Sequence, residues 1–600
     1  MRFGRTSKAI GVAAAAALAL SACASAGGNS SDTESTGGSQ AGGSISVAET
    51  NAFSSFNSDS AKGNVDINGK IAYMTRGGFY HIDNELNVVR NEEFGTYEKV
   101  SDDPLVVKYT VNEGVKWSDG NPIDAGDLLL NWVVESGFAN DATTNEDGKV
   151  TSGTNYFDFA GDTTGLGLTK QPEVGDDGRS ITLTYEKPFA DWEIAFGGLS
   201  DGGIGLPAHV VAQKAGLADE QALVDLIQGL KKGDPENPAK ENAQLKKVAD
   251  VWNTGFDTKS LPSDSAIYLS SGPFIVDSIT PDQSVTLVRN ESYTWGPSPK
   301  VDEITIRFIG AAPDQVQALK NGEVDIIAPQ PSADTVELLK AIDGVTVDVE
   351  DQLAYDHLDL NYTGVFADAD VREAFLKTVP RQAIVDRIVK PLKQDAAPLD
   401  SQFFIPAQEP YKASAENNGS AGFADVDIDG AKKLLDGKTP EVRIMYNKDN
   451  PNRVDAYSLI QESAEKAGFK IVDGGLGASD WGSALGGGTY DATIFGWTSP
   501  GVGVSNVPQI FKTGAGSNFN GFSNKEADKL MNELVVTTDK AKQDELVTQI
   551  DKLVWDSYYG VPLFQSVGLD AYNSDRVEGV KYQPNQTGVF WNFWEWGVKG

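Results

Sequence analysis

Val115-Lys116-Trp117-Ser118-Asp119-Gly120-Asn121-Pro122-Ile123-Asp124-Ala125-Gly126-Asp127 follows an alternating run from Leu105 to Val111. That alternation predicts a half-buried strand, turned at Glu113-Gly114. The quoted stretch then predicts a strand end, a tight turn and the start of a helix. The Asp119 side chain suits a bond to the backbone of its own turn, Gly120 tolerates positive φ, and Pro122 stiffens the approach. Asp124 opens the helix, Asp127 stands in its first turn, and Leu128, Leu129, Trp132 and Val133 fall on one face. Turn chemistry accounts for every residue of this stretch, so it reads as architecture and not as a ligand contact.

Outward from it, strands and helices alternate. Ser44 to Ala48 predicts the first strand and Ser180 to Tyr185 another, entered through Asp176-Asp177-Gly178. Ala218 to Trp252 reads as helix broken at Gly233-Asp234-Pro235. Phe274 to Val276, Ser284 to Val288 and Ile304 to Ile306 read as strands of one sheet, and Asp314 to Lys320 as a helix ended by Asn321-Gly322. Helices over Ala333–Leu339, Ala369–Val389, Asp429–Leu435 and Arg453–Ala467 alternate with strands over Val345–Val349 and Val442–Tyr446. Glu526 to Tyr558 returns to helix. This alternation predicts an α/β fold, and no fixed-period repeat is present.

The chain has 600 residues and carries 50 basic against 86 acidic side chains, a net charge of −36. Its length predicts more than one domain. Its acidity excludes nucleic acid and anionic lipid headgroups as electrostatic partners. The one cysteine, Cys23, closes Leu20-Ser21-Ala22-Cys23 after a basic start and an alanine-rich apolar run, the pattern of an export signal. Past Leu20 no run is long enough to cross a bilayer. Ala24 to Gly43 is rich in Gly and Ser, which predicts a flexible leash.

Several strings, in order, resemble the extracellular solute-binding proteins of dipeptide, oligopeptide and nickel import systems. The opening stretch is the most characteristic. It is joined by Leu206-Pro207-Ala208-His209, Ser271-Gly272-Pro273-Phe274, Val288-Arg289-Asn290 with Tyr293 to Gly296, Leu319 to Asp325, Leu358 to Asn361, Asp370 to Phe375, Tyr490 to Trp497 and Asn518 to Asp528. Leu20 to Cys23 likewise resembles a bacterial lipobox, whose cysteine receives a lipid. The resemblance implies a bilobal α/β receptor of the periplasmic-binding-protein type with an extra subdomain inserted in the first lobe. The expected segments are 1–22 signal, 23–43 lipidated linker, 44–76 with 196–328 and 513–600 as the first lobe, 77–195 as the insertion, and 329–512 as the second lobe. Chain crossings near Pro329 and Lys512 are expected as hinges. It further implies a monomer moored by the Cys23 lipid outside the cell membrane, capturing a solute for a membrane permease and its ATPase, with no cofactor, no metal and no catalysis.

For the ligand site the resemblance points to Gly496-Trp497-Thr498, at the end of the strand Ala492 to Phe495. There backbone groups pair with an extended ligand, the indole gives an apolar wall, and Gly496 permits close approach. A large aromatic at such a place is also an ordinary core residue. Lys62, Gly63 and Asn64 are expected to face the other side of the cleft, with Tyr156 and Phe157 roofing it. Peptide-binding relatives carry an aspartate just past this tryptophan, where this chain has Thr498, Ser499 and Pro500, and no carboxylate stands between Asp491 and Lys512. Three readings follow: a peptide receptor; a receptor for another solute, an oligosaccharide or opine-like compound; and an exported serine hydrolase using Ser200 of Gly198-Leu199-Ser200-Asp201-Gly202. The last lacks the strand–turn–helix context of a nucleophile elbow. Three histidines, none at i, i+4 spacing, exclude a histidine-rich zinc site. Asp425-Val426-Asp427-Ile428-Asp429-Gly430 resembles half a calcium loop, but a helix capped by Asp429 accounts for it better.

Overall fold

The computed structural model describes residues 42–144, 150–161, 163–197, 203–477, 481, 484–498, 502–515 and 517–600. Ten strands form its main sheet: β1 (Ser44–Glu49), β2 (Phe274–Thr280), β3 (Ser284–Arg289), β4 (Glu303–Phe308), β5 (Ile326–Ile327), β6 (Val345–Leu360), β7 (Glu441–Asn447), β8 (Lys470–Leu476), β9 (Ala492–Thr498) and β10 (Gly560–Asn573). Their order is β2-β3-β4-β1-β5-β10-β6-β9-β7-β8. β1 runs parallel to β4 and β5, and β7 parallel to β8 and β9. Two parallel α/β units are therefore joined by the antiparallel pair β6 and β10.

The joining strands span both halves. Leu569 and Ala571 of β10 pack with Ala48, Val324 and Leu339 in the first half. Leu358 and Leu360 of β6 pack with Val442, Ile460 and Ile494 in the second. Their mutual register shifts between Asp351 and Tyr355, where one core gives way to the other. The sequence expectation ended this strand at Val349 and placed the crossings near Pro329 and Lys512. The strand runs on to Leu360 because its second half, Ala354 to Leu360, pairs with β9 on one side and with β10 on the other. The packing also divides 513–600: helices Lys525–Leu534 and Lys540–Asp556 share a core with Phe404, Val507 and Phe511, whereas Val577 and Phe590 to Trp596 pack with Ile45 and Phe274.

Within 77–195 a separate four-stranded sheet runs Gly95–Asp102, Leu105–Val111, Ser180–Thr184, Glu173–Val174. Its inner face and helix Ala125–Glu135 bury Val107, Tyr109, Leu128, Leu129 and Trp132 in one core. The opening stretch adopts the expected turn. Gly120 has φ +94°, and Asp119 accepts from the Asn121 backbone N–H at 3.0 Å. Asp124 and Asp127 form a capping box. Trp117 is buried with its indole N–H toward Asp127, and His209 meets Asp119 at 3.0 Å, so the Pro207 corner packs on this turn. Asp427, not Asp429, caps helix Ile428–Leu435, accepting from the Gly430 N–H. Pro380 splits the expected helix 369–389 in two, as proline removes the donor that would continue it.

Candidate functional site

A cavity of about 460 Å³ lies where the insertion, the first helix and the end of β9 meet. Helix Asp66–Thr75 follows the loop after β1 and presents Asp66, Gly69, Lys70 and Tyr73 to it. The insertion supplies Glu135, the run Phe159-Ala160-Gly161, and Phe189 with Asp191. The second half supplies Trp497, Thr498, Ser505 and Gln509. Walls from both halves thus converge on one volume, within the size range of small-ligand sites.

One wall is an ion cluster. Lys70 Nζ lies 2.8 Å from Glu49 Oε1, with both side chains almost wholly buried. Burial alone would lower the Lys70 ammonium, but Glu49 and Asp66 outweigh it and hold it protonated. Asp66 accepts from the Asn51 amide at 2.8 Å. Behind them Asp570 faces Asp348 across the β6–β10 pair, and its Oδ2 has no partner among the described residues. Burial pushes Asp570 up to about 8, only partly offset by Lys70, so it is mostly protonated at neutral pH.

The opposite rim is held shut. Asp191 of the insertion accepts from the Val504 N–H at 2.9 Å, the Ser505 N–H at 2.9 Å and the Ser505 hydroxyl at 2.6 Å. The adjacent Ala190 N–H donates to the Val535 carbonyl at 2.8 Å. Phe189 sits in the core of the insertion, while Ala190 packs on the core of Val504, Val507 and Phe511. This segment therefore ties the first half to the second at the edge of the cavity.

Of the residues expected from sequence, Asn64, Trp497 and Thr498 line this cavity together. Trp497 is half-buried. It stacks on Phe519 at 6.0 Å and on His357 at 6.0 Å, and its indole N–H has no partner among the described residues. It is thus both a core neighbour and a cavity wall. Gly496 faces away, because the pleat turns its side of β9 to the opposite face. A Cβ there would stand 2.6 Å from Asp356 Oδ1, so the glycine is required by a carboxylate of the fold. Gly63 is buried, and a Cβ would fall 1.8 Å from the Asn57 carbonyl; Lys62 is exposed and is not among the residues lining this cavity. Tyr156 and Phe157 are core residues and not a roof: the Tyr156 hydroxyl accepts from the Asn242 N–H at 2.8 Å, and Phe157 meets Trp252 edge-on at 5.8 Å. Phe159, two residues on, lines the cavity instead. Cys23 and Ser200 lie outside the described residues.

Sequence reasoning missed Asp66, Lys70 and Asp191. The first two had a signal: they stand at i, i+4 on the first helix after a strand, where open α/β sheets bring groups to a crevice. Asp191 had none, since its partners are more than 300 positions away.

Comparison with known proteins agrees with this architecture. Residues 93–519 match the family model described as bacterial extracellular solute-binding proteins, family 5 middle. The chain is 24% identical over 558 residues to an uncharacterized lipoprotein of Mycobacterium tuberculosis, covering 91% of this chain and 92% of that one. It is 24% identical over 554 residues to the oligopeptide-binding protein OppA of the same species, covering 89% and 82%. Among solved structures, the periplasmic EDTA-binding protein EppA superposes with a TM-score of 0.78 at 22% identity, over 94% of this chain and 98% of its own. The chain belongs to the bacterial extracellular solute-binding proteins of family 5, the binding components of ABC importers.

Proposed function

We propose that this protein is a lipid-anchored receptor that captures peptides in the 460 Å³ cavity and delivers them to a permease driven by its ATPase. The observation that carries the reading is that cavity itself, walled by Asp66 and Lys70 on one side and by Trp497 and Ser505 on the other. Polar groups on both sides with an indole in one wall suit a short chain bearing varied side chains. The similarity to an oligopeptide-binding protein supports the same reading. Its work is binding and not chemistry. Ligand stabilises the closed form only by its greater affinity for closed over open, and the β6–β10 crossing is the proposed hinge. Export and acylation at Cys23 are supported by the lipobox-like run and by relatives named lipoproteins.

Native mass spectrometry of the protein as purified tests the ligand class. A ladder of peptide masses is expected, and a single non-peptide mass defeats it. A non-peptide solute is the second reading, favoured by the missing carboxylate after Trp497 and by a structural relative that binds EDTA. A Ser200→Ala variant that lost a hydrolytic activity while keeping ligand binding would support the hydrolase reading instead.

A further inference from the structure

β9 separates two cavities. Trp497 points to one face of the sheet, Gly496 and Thr498 to the other, and across the ladder Asp356 opposes Gly496 while Ala354 opposes Thr498. On that second face lies another cavity of about 380 Å³, whose lining includes Gln352, Ala354 and Asp356, the alternate residues of β6. Thr498, at the strand end, borders both.

Its position follows from the topology. Thr50 and Ala328, which line it, come directly after the carboxyl ends of the parallel strands β1 and β5, and Gly310 lies just beyond that of β4. In the other half Asn450 lies just beyond the end of β7, and Thr498 is the last residue of β9. Carboxyl ends of parallel strands are where open α/β sheets place small ligands, because the chain diverges there and leaves a crevice. Here five such ends, from both halves, meet at one pocket.

The lining is polar and electrically balanced. Its charges are Asp356 and Arg453, which pair with each other at 3.3 Å and are both largely buried. The side chains of Gln330, Gln352, Asn452, Thr498 and Ser566 also line it, and none of them makes a hydrogen bond within the described residues. Amides and hydroxyls offer donors and acceptors side by side. A net-charged guest would find no uncompensated partner, and an apolar one would strip water from these groups without replacing it. Hydroxyl groups, which both donate and accept, match this set, and Phe564 provides an apolar surface for a ring face.

We infer that this hinge-side cavity is a second binding site, for a small neutral polyhydroxy compound of monosaccharide or cyclitol size. It is distinct from the cavity beside Trp497. Because residues of both halves form it, an occupant would bias closure and so couple to the main site, reciprocally.

The test is isothermal titration calorimetry of the full chain with D-glucose, D-galactose, D-arabinose and myo-inositol, each titrated separately. At least one is expected to bind saturably. Gln352→Leu and Asn452→Ala should each weaken that binding by roughly tenfold or more, the loss expected for one or two hydrogen bonds. Trp497→Ala should leave it unchanged. Neither altered side chain holds the fold together by a hydrogen bond, and if one variant misfolds by circular dichroism the other carries the test. Absence of binding by all four compounds overturns the inference. So does binding that survives both variants, or that disappears in Trp497→Ala, since the sugar would then occupy the main cavity. Failure of the peptide reading leaves this result untouched, because that reading is decided by the masses that copurify and this one by sugar binding and its loss in Gln352→Leu and Asn452→Ala.

Discussion

At the residue scale, the sharpest electrostatic feature lies away from the cavity. Carboxylate oxygens of Asp124, Asp127 and Glu220 fall within 4.8 Å of one another. Burial raises Asp127 to about 7, and the N–H bonds it accepts from Ala208, Trp117 and Asp124 only partly offset that. Glu220 has a buried oxygen without a donor among the described residues, and burial, then Asp127 and Asp124, push it up to about 9. Its folded value is raised above the unfolded one, so the folded state holds a proton that the unfolded chain releases. The resulting stability is complete below about pH 4.5 and is lost as pH rises toward 9. Glu220→Gln should therefore melt above the parent at pH 9 and with it near pH 4, a difference read by calorimetric scans at both values. Trp497→Ala should weaken ligand binding by about tenfold or more. Its stacking on Phe519 and His357 adds a stability cost of about 2–4 kcal/mol, less than burial of the whole indole would give. Titration calorimetry beside denaturant unfolding separates the two effects.

At the scale of elements, β9 shows how a strand serves two purposes. Phe495 and Trp497 build the core and the cavity on one face, while Gly496 leaves room for Asp356 and its Arg453 partner on the other. Gly496→Ala should cost about 1–3 kcal/mol by pressing a methyl group on that carboxylate, as measured by urea unfolding. The helix starting at Ala125 was legible in advance, with Asp124 at its start and Asp127 in its first turn, because caps and turns are set by neighbours in sequence. The length of β6 was not. Its second half is held by β9 and β10, whose residues stand more than 100 positions away, and no local pattern reports such a partner.

At the scale of the whole molecule, the Asp191 contacts with Val504 and Ser505 hold the insertion to the second half. Hydrogen bonds to a charged group contribute roughly 1.5–3 kcal/mol each, and these form only when the rim is shut. Asp191→Asn is expected to favour a more open form. Ligand dissociation should then speed up by roughly tenfold, and the radius of gyration in small-angle scattering of the ligand-free protein should rise. An unchanged dissociation rate would show that the contact does not gate the cavity. On the proposed lipid anchor, Cys23→Ala should move the expressed protein from the membrane fraction to the soluble exported one, seen by fractionation and immunoblot, since a surface this acidic is repelled by anionic headgroups.

The order of motifs along the chain was enough to determine the family, the α/β class and the turn after Leu105–Val111. Each of these depends on residues close in sequence, or on short strings whose order is itself the signal. Tertiary structure alone decided which side of β9 each residue faces, that Tyr156 and Phe157 are core, that Lys525–Asp556 belongs with Phe404 and Phe511, and that Asp66, Lys70 and Asp191 border the cavity. These facts depend on pairings between distant segments, where the energy comes from complementary surfaces and not from any one segment's composition.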